Sequence, residues 1–283
     1  MSIIGSFLDE SFDEQPYGVF VVGGVMGRGV PIFELERRWE KLLKRPDIDI
    51  DYFKASECEH GTGQFAKFVK KPRKPTLSEA DKLRSISREF LSTIVKPPFD
   101  KNYLVIGGVG VVQADFYDII KDPKARGILG ASPYKLAYDF AMIQGAWAMK
   151  ELGTGDFVAF VCDEHEEHSP LAPEEFRKLN ETNKVAASYM ATFSSEDEKD
   201  CIALQAADAA VYEIRRALRF SLGMVKSALR EQFNILTDTR AMFIINHTSR
   251  EQLEHIVATH EPGEPFKLDA LMELQIAADR ILI

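Results

Sequence analysis

The chain has 283 residues, 45 % of them hydrophobic and 28 % charged, with a formal net charge of −9. This suits an ordinary globular protein of one large domain or two smaller ones. It argues against a nucleic-acid binder with a broad basic face, and no apolar run reaches the roughly 18 residues that span a bilayer.

The first residues lack the basic region and long apolar stretch of a signal peptide, which predicts a cytoplasmic protein. Cys58, Cys162 and Cys201 are odd in number, far apart and form no C-x-x-C pair. That argues against both a disulfide framework and a cysteine zinc site.

In chain order, Ile3–Leu8 and Val19–Val25 are apolar runs of strand length, joined by a polar turn with Pro16 and Gly18. They predict an antiparallel hairpin. Glu34–Lys44 carries Leu35, Trp39, Leu42 and Leu43 at helical spacing. Asp51–Lys54 reads as a short strand entering the loop Ala55–Gly63. Leu77–Val95 is a helix with Ser78 as its expected N-cap, and Tyr103–Val112 is a glycine-bearing strand. Pro133–Leu152 is helical and Phe157–Cys162 a strand that ends in acids. Pro173–Ala187 is read as one helix, Ser188–Phe193 as a strand and Asp200–Phe220 as a long alanine-rich helix. The tail adds helices at Val225–Phe233 and Ser249–Thr259, with a short strand at Ala241–Ile245 between them, and ends with Leu268–Leu282. Hairpin strands followed by strands alternating with helices predict a mixed α/β sheet with helices on its faces.

Acids stand out at three places, two strand ends and one helix. Asp9 and Glu10 follow the first strand and Asp163 and Glu164 follow a later one; in open α/β sheets, sites form beyond strand ends. Side chains alternate along a strand, so Gly5, Phe7 and Asp9 share one face, while Leu8 and Glu10 share the other. Asp208 lies in CIALQAADAAVYEI, bordering the apolar face set by Leu204 and Val211. An ionised carboxylate there is costly unless paired or bound to a cation; Arg215 and Arg216 are the alternative partners. Carboxylates on rigid elements suit Mg²⁺ or Mn²⁺, and such clusters support phosphodiester chemistry with metal-activated water.

The strand-end LDES, the strand-end FVCDE and the helical LQAADAAV follow one another as in ribonuclease-H-like proteins. They resemble the domain-of-unknown-function family 3800 through Asp9-Glu10-Ser11, Asp163 and Gln205-Ala206-Ala207-Asp208, with Phe53–Glu57 similar to that family's short element after the early helix. The resemblance covers about residues 3 to 220. It implies a ribonuclease-H-like fold over 1–222, with 223–283 as a mainly helical extension packed on the same domain, and a metal-dependent nuclease ancestry. Two departures are Phe12, where the family has glycine, and Lys54, where it often has histidine.

On this reading Asp9, Asp163 and Asp208 bind metal, with Glu164 auxiliary, Glu10 and Glu57 as further catalytic acids, and Lys54, Gln205, Lys71 and Arg73 facing substrate. The expected partner is a nucleic acid, DNA or RNA. The basic knots at Lys70–Lys74 and Arg215–Arg219 would guide its backbone, although solvated faces are the default for such runs, as for Arg37–Arg45. A homodimer is compatible with the extra C-terminal helices. Two other functions stay open: a non-catalytic binding or scaffold protein, and a hydrolase of a small phosphorylated metabolite. His165-Glu166-Glu167-His168 is not a zinc-protease motif, because its histidines are three apart and precede Pro170.

Overall fold

Two ten-residue antiparallel strands open the chain, β1 (Ile3–Phe12) and β2 (Val19–Arg28). The computed structural model describes residues 2–13, 17–95, 104–152, 155–164, 171–226, 228–237 and 242–262. His165–His168 and Leu268–Leu282 lie outside the described residues.

After the hairpin come helices α1 (Gly29–Leu43), α2 (Ala55–His60) and α3 (Leu77–Val95), with a 3-10 turn at Gly63–Phe68 before α3. Strand β3 (Leu104–Val112) is followed by α4 (Gln113–Ile119), α5 (Pro123–Leu129) and α6 (Pro133–Leu152). Then follow β4 (Phe157–Asp163), α7 (Leu171–Thr182), α8 (Lys184–Ala187), β5 (Met190–Glu196) and α9 (Ile202–Ser221). The last described elements are α10 (Glu231–Thr237), β6 (Met242–Thr248) and α11 (Arg250–Thr259).

The strands form one six-stranded mixed sheet in the order β5-β4-β1-β2-β3-β6. β1, β2 and β3 make an antiparallel meander, β4 and β5 extend it in parallel beyond β1, and β6 adds a parallel edge to β3. Helices cover both faces and further helices follow at the C-terminal end, which is a ribonuclease-H-like α/β architecture.

Alternation along β2 divides the core. Val19, Val21 and Val25 join the apolar layer built with α1, α3 and α9, including Trp39, Phe53, Phe90 and Ile214. Phe20, Val22 and Met26 join the opposite layer with α6, including Tyr134, Tyr138 and Phe160. A strand buried on both faces needs apolar residues or glycine throughout, which β2 supplies from Val19 to Gly27, before the exposed Arg28. Among the described residues no helix is long and apolar enough to cross a membrane.

Several local expectations change. Asp9, Glu10 and Ser11 do not form a turn; they remain in β1, opposite Gly23, Val22 and Val21. Helices cover both sheet faces there, so the ladder continues through the acids to Phe12, whose ring stacks on Phe20 with centroids 5.7 Å apart. Asp51–Lys54 forms no strand; the Asp51 and Phe53 N–H groups donate to the side chains of Gln64 and Gln205. Thr76 rather than Ser78 caps α3: its hydroxyl accepts from the Glu79 N–H at 3.4 Å, and Glu79 Oε2 accepts from the Thr76 N–H at 2.7 Å. The expected helix Pro173–Ala187 breaks at Asn183, whose side chain caps α8 through the Ala186 N–H. The helix expected at Val225–Phe233 is instead α10, beginning at Glu231.

Candidate metal centre

The site grows from the packing of α9 across β1 and β2. A Cβ on Gly24 (φ +155°) would stand 2.0 Å from the Phe7 carbonyl oxygen and 2.8 Å from Ala207 Cβ. Only glycine fits there, and the small side chain at position 207 lets α9 approach the sheet. That approach buries Asp208 beside Asp9 of β1.

A third acid joins them from the loop between β5 and α9. Asp9, Glu198 and Asp208 are all buried, and one carboxylate oxygen from each lies within 4.8 Å of the others. Glu198 carries no motif. It is one of four acids in Glu196-Asp197-Glu198-Lys199-Asp200, a stretch that by pattern alone reads as a solvated loop. The hydrogen bonds that turn it inward come from residues distant in sequence.

Each acid is held by a specific contact. The Asp9 carboxylate accepts the Glu10 N–H at 2.8 Å, and Asp208 Oδ2 accepts the Ala55 N–H at the start of α2 at 2.6 Å. Lys54 donates to Glu198 Oε1. Asp208 does not pair with the arginines of its own helix. Arg215 and Arg219 go to Asp13 at 2.5 and 2.9 Å, and Arg216 contacts Glu59 at 3.4 Å.

The other expected residues take different places. Asp163 is outside the trio; its Oδ1 accepts the Glu198 N–H at 3.0 Å and so positions the loop acid. Glu10 lies on the opposite face of β1, where its Oε2 accepts from the Tyr138 hydroxyl at 3.3 Å. Glu57 is also outside the trio, because its two oxygens accept from Tyr52 Oη at 3.1 Å and the Gln64 N–H at 3.0 Å. Glu164 is exposed, and its N–H donates to the Glu196 carbonyl.

Gln205, expected at the substrate face, is enclosed in the core of the protein. It is completely buried; its Oε1 accepts from Trp39 Nε1 and the Phe53 N–H, both at 3.0 Å, and its Nε2 donates to the Glu198 carbonyl at 3.0 Å. It ties α1, the segment before α2 and the acid loop to α9. Lys71 and Arg73 are exposed in the loop before α3, where the Arg73 N–H donates to the His60 carbonyl. The Arg215–Arg219 knot, expected to guide a substrate backbone, is engaged by Asp13 and Glu59 because these carboxylates stand beside α9.

Burial and mutual repulsion raise the acids of this cluster together. Burial, then Asp208, Glu10, Asp163 and Glu198, pushes Asp9 well above its ordinary 3.8. Asp208 rises from 3.8 to about 7 through burial and Glu198, against the opposing pull of Lys54 and the Ala55 N–H. Glu10 rises from 4.5 to about 7 through burial and Asp163, and Asp163 from 3.8 to about 6 through burial and Glu198. Crowded, desolvated carboxylates either take up protons or gather a cation.

No family model, curated protein or solved structure matches this chain. The likeness to the domain-of-unknown-function family 3800 therefore rests on its short motifs, and what the fold supports is coarser: a ribonuclease-H-like α/β architecture with a potential metal-binding cluster.

The trio fits a divalent cation on chemical grounds. All donors are hard carboxylate oxygens, suited to Mg²⁺ and Mn²⁺ alike. Glu198 Oε2 is buried without a hydrogen-bond partner, an arrangement a cation relieves.

Proposed function

We propose that this protein is a divalent-metal-dependent phosphodiester hydrolase of nuclease type, in which Asp9, Glu198 and Asp208 hold Mg²⁺ or Mn²⁺. The observation that carries the reading is the convergence of three buried carboxylates from a strand, a loop and a helix. A divalent ion held there would polarise a phosphoryl oxygen and acidify a water for attack.

The chain's own residues prepare that chemistry. Asp163 fixes the Glu198 backbone, and the Ala55 N–H and the Glu10 N–H orient Asp208 and Asp9. Rigid ligands spare the site reorganisation when a substrate arrives. In this reading the exposed Lys70, Lys71, Arg73 and Lys74 meet the phosphates of a DNA or RNA strand.

One observation favours a second reading, a non-catalytic member of the same architecture: Lys54 already places an ammonium on Glu198. Calorimetric titration with Mn²⁺, run beside cleavage of single-stranded, duplex and hybrid substrates, separates the two. The hydrolase binds Mn²⁺ and cleaves one of these substrates; Asp208→Asn abolishes both while the circular dichroism spectrum is unchanged. A wild-type protein that binds no metal sinks the hydrolase reading. Metal binding without cleavage of any polymer points to a small phosphorylated substrate.

A further inference from the structure

The carboxylate cluster already contains a cation of the protein's own. Among the described residues, Lys54 is the basic side chain that forms an ion pair with a member of the trio, through Glu198 Oε1. Around it stand Asp9, Glu10, Asp163, Glu198 and Asp208. Burial would pull its ammonium down, yet Asp208, Glu198 and Asp9 outweigh that and hold it above its ordinary value.

The placement of Lys54 is enforced by its neighbours. The Phe53 N–H before it donates to Gln205 Oε1, and the Ala55 N–H after it donates to Asp208 Oδ2. Both acceptors belong to α9, one turn apart. The backbone of Lys54 is thus clamped between two side chains of the helix that carries a metal-ligand candidate. Only the flexible stem of Lys54 remains to choose a direction, and its side chain is 35 % exposed against 6 % for Glu198. A long ammonium side chain with an open path to water can leave without moving the backbone.

We propose that Lys54 is the resident counter-cation of this cluster, and that a divalent ion enters by exchange, displacing the Lys54 ammonium from Glu198 toward the mouth of the site. The inference rests on the metal-site reading above. Two cations on one buried carboxylate repel strongly, because little solvent screens them. Ion binding and the Lys54–Glu198 contact therefore oppose each other. Lys54 keeps the metal-free cluster compact and lowers its metal affinity in the same act.

The full-length protein tests this with Mn²⁺ alone as the probe. Lys54→Gln, which removes the charge and keeps a hydrogen-bonding side chain, is expected to bind Mn²⁺ about ten-fold tighter than wild type by calorimetry. Lys54→Arg, which keeps the charge, binds no tighter than wild type. In chelator, Lys54→Gln melts at a lower temperature than wild type, and Mn²⁺ raises its melting temperature by more. In wild type labelled at lysine, Mg²⁺ moves the Lys54 side-chain NMR signal toward that of a solvated lysine. If wild type binds Mn²⁺ and Lys54→Gln binds it equally or more weakly, the exchange is overturned and the metal site stands. If neither protein binds Mn²⁺, the metal-site reading falls and the exchange falls with it. A purely structural Lys54 would lower the melting temperature without raising metal affinity.

Discussion

At the scale of single residues, the centre depends on Gln205 as much as on the acids it serves. Its amide satisfies the Trp39 indole, the Phe53 N–H and the Glu198 carbonyl from one fully buried position. Gln205→Leu preserves volume but orphans all three, and unsatisfied buried groups cost about 1–3 kcal/mol each. We expect a loss of about 3 kcal/mol in urea unfolding, with weaker Mn²⁺ binding because the Glu198 loop loses its anchor. Wild-type stability in this variant would remove Gln205 from the account. The sequence marks Gln205 through its place in the Gln-x-x-Asp helix, yet its role is invisible there, since its partners lie at positions 39, 53 and 198. Glu198 is hidden for a related reason: four neighbouring acids in an aperiodic loop look alike until Asp163, Gln205 and Lys54 select one of them.

At the scale of elements, the close contact between α9 and the hairpin fixes the site. Gly24→Ala would press a methyl group against the Phe7 carbonyl and Ala207. Overpacking of this kind costs on the order of 3 kcal/mol when backbone must move. The urea midpoint should fall accordingly, and α9 should shift enough to loosen Asp208 from Asp9. A variant that keeps both its stability and its Mn²⁺ affinity would show that the approach is not critical. Elements with strong local signals were legible: α3 and α6 span the ranges their periodicity and punctuation predict, and Ser249 forms a complete capping box before α11. The small helices α4 and α5 lack a long repeat, although Asp122 before Pro123 is a readable start signal. The end of β1 is not legible in the sequence, because the run of acids resembles a strand reaching water, whereas the helices covering both faces keep those residues in the sheet.

At the scale of the whole molecule, the cluster makes stability depend on pH in an uncommon direction. Asp163 at about 6, and Glu10 and Asp208 at about 7, sit above their ordinary 3.8 and 4.5. Between about pH 4 and pH 7 the folded chain therefore holds more protons than the unfolded chain, and stability falls as pH rises through that window. The metal-free protein should melt at a higher temperature at pH 5.5 than at pH 8, after correction with an Asp208→Asn control. Saturating Mn²⁺ should reverse the order, because carboxylates must release their protons to bind it. Calorimetry in buffers of different ionisation enthalpy would detect that release; a flat pH profile in both states would argue against the shifted carboxylates. The fold places residue 9 against residues 198 and 208, a separation that no local spacing encodes.

That separation also orders events during synthesis. The β1–β2 hairpin leaves the ribosome before α9 and can pair at once, but Asp9 then waits for α9 to emerge before Asp208 exists. Until about residue 221 has been made, a nascent chain carries an acidic strand without its lysine-balanced partners. Assembly of the carboxylate cluster is therefore a late event of folding, and a chain that stops short of α9 carries Asp9 without Asp208.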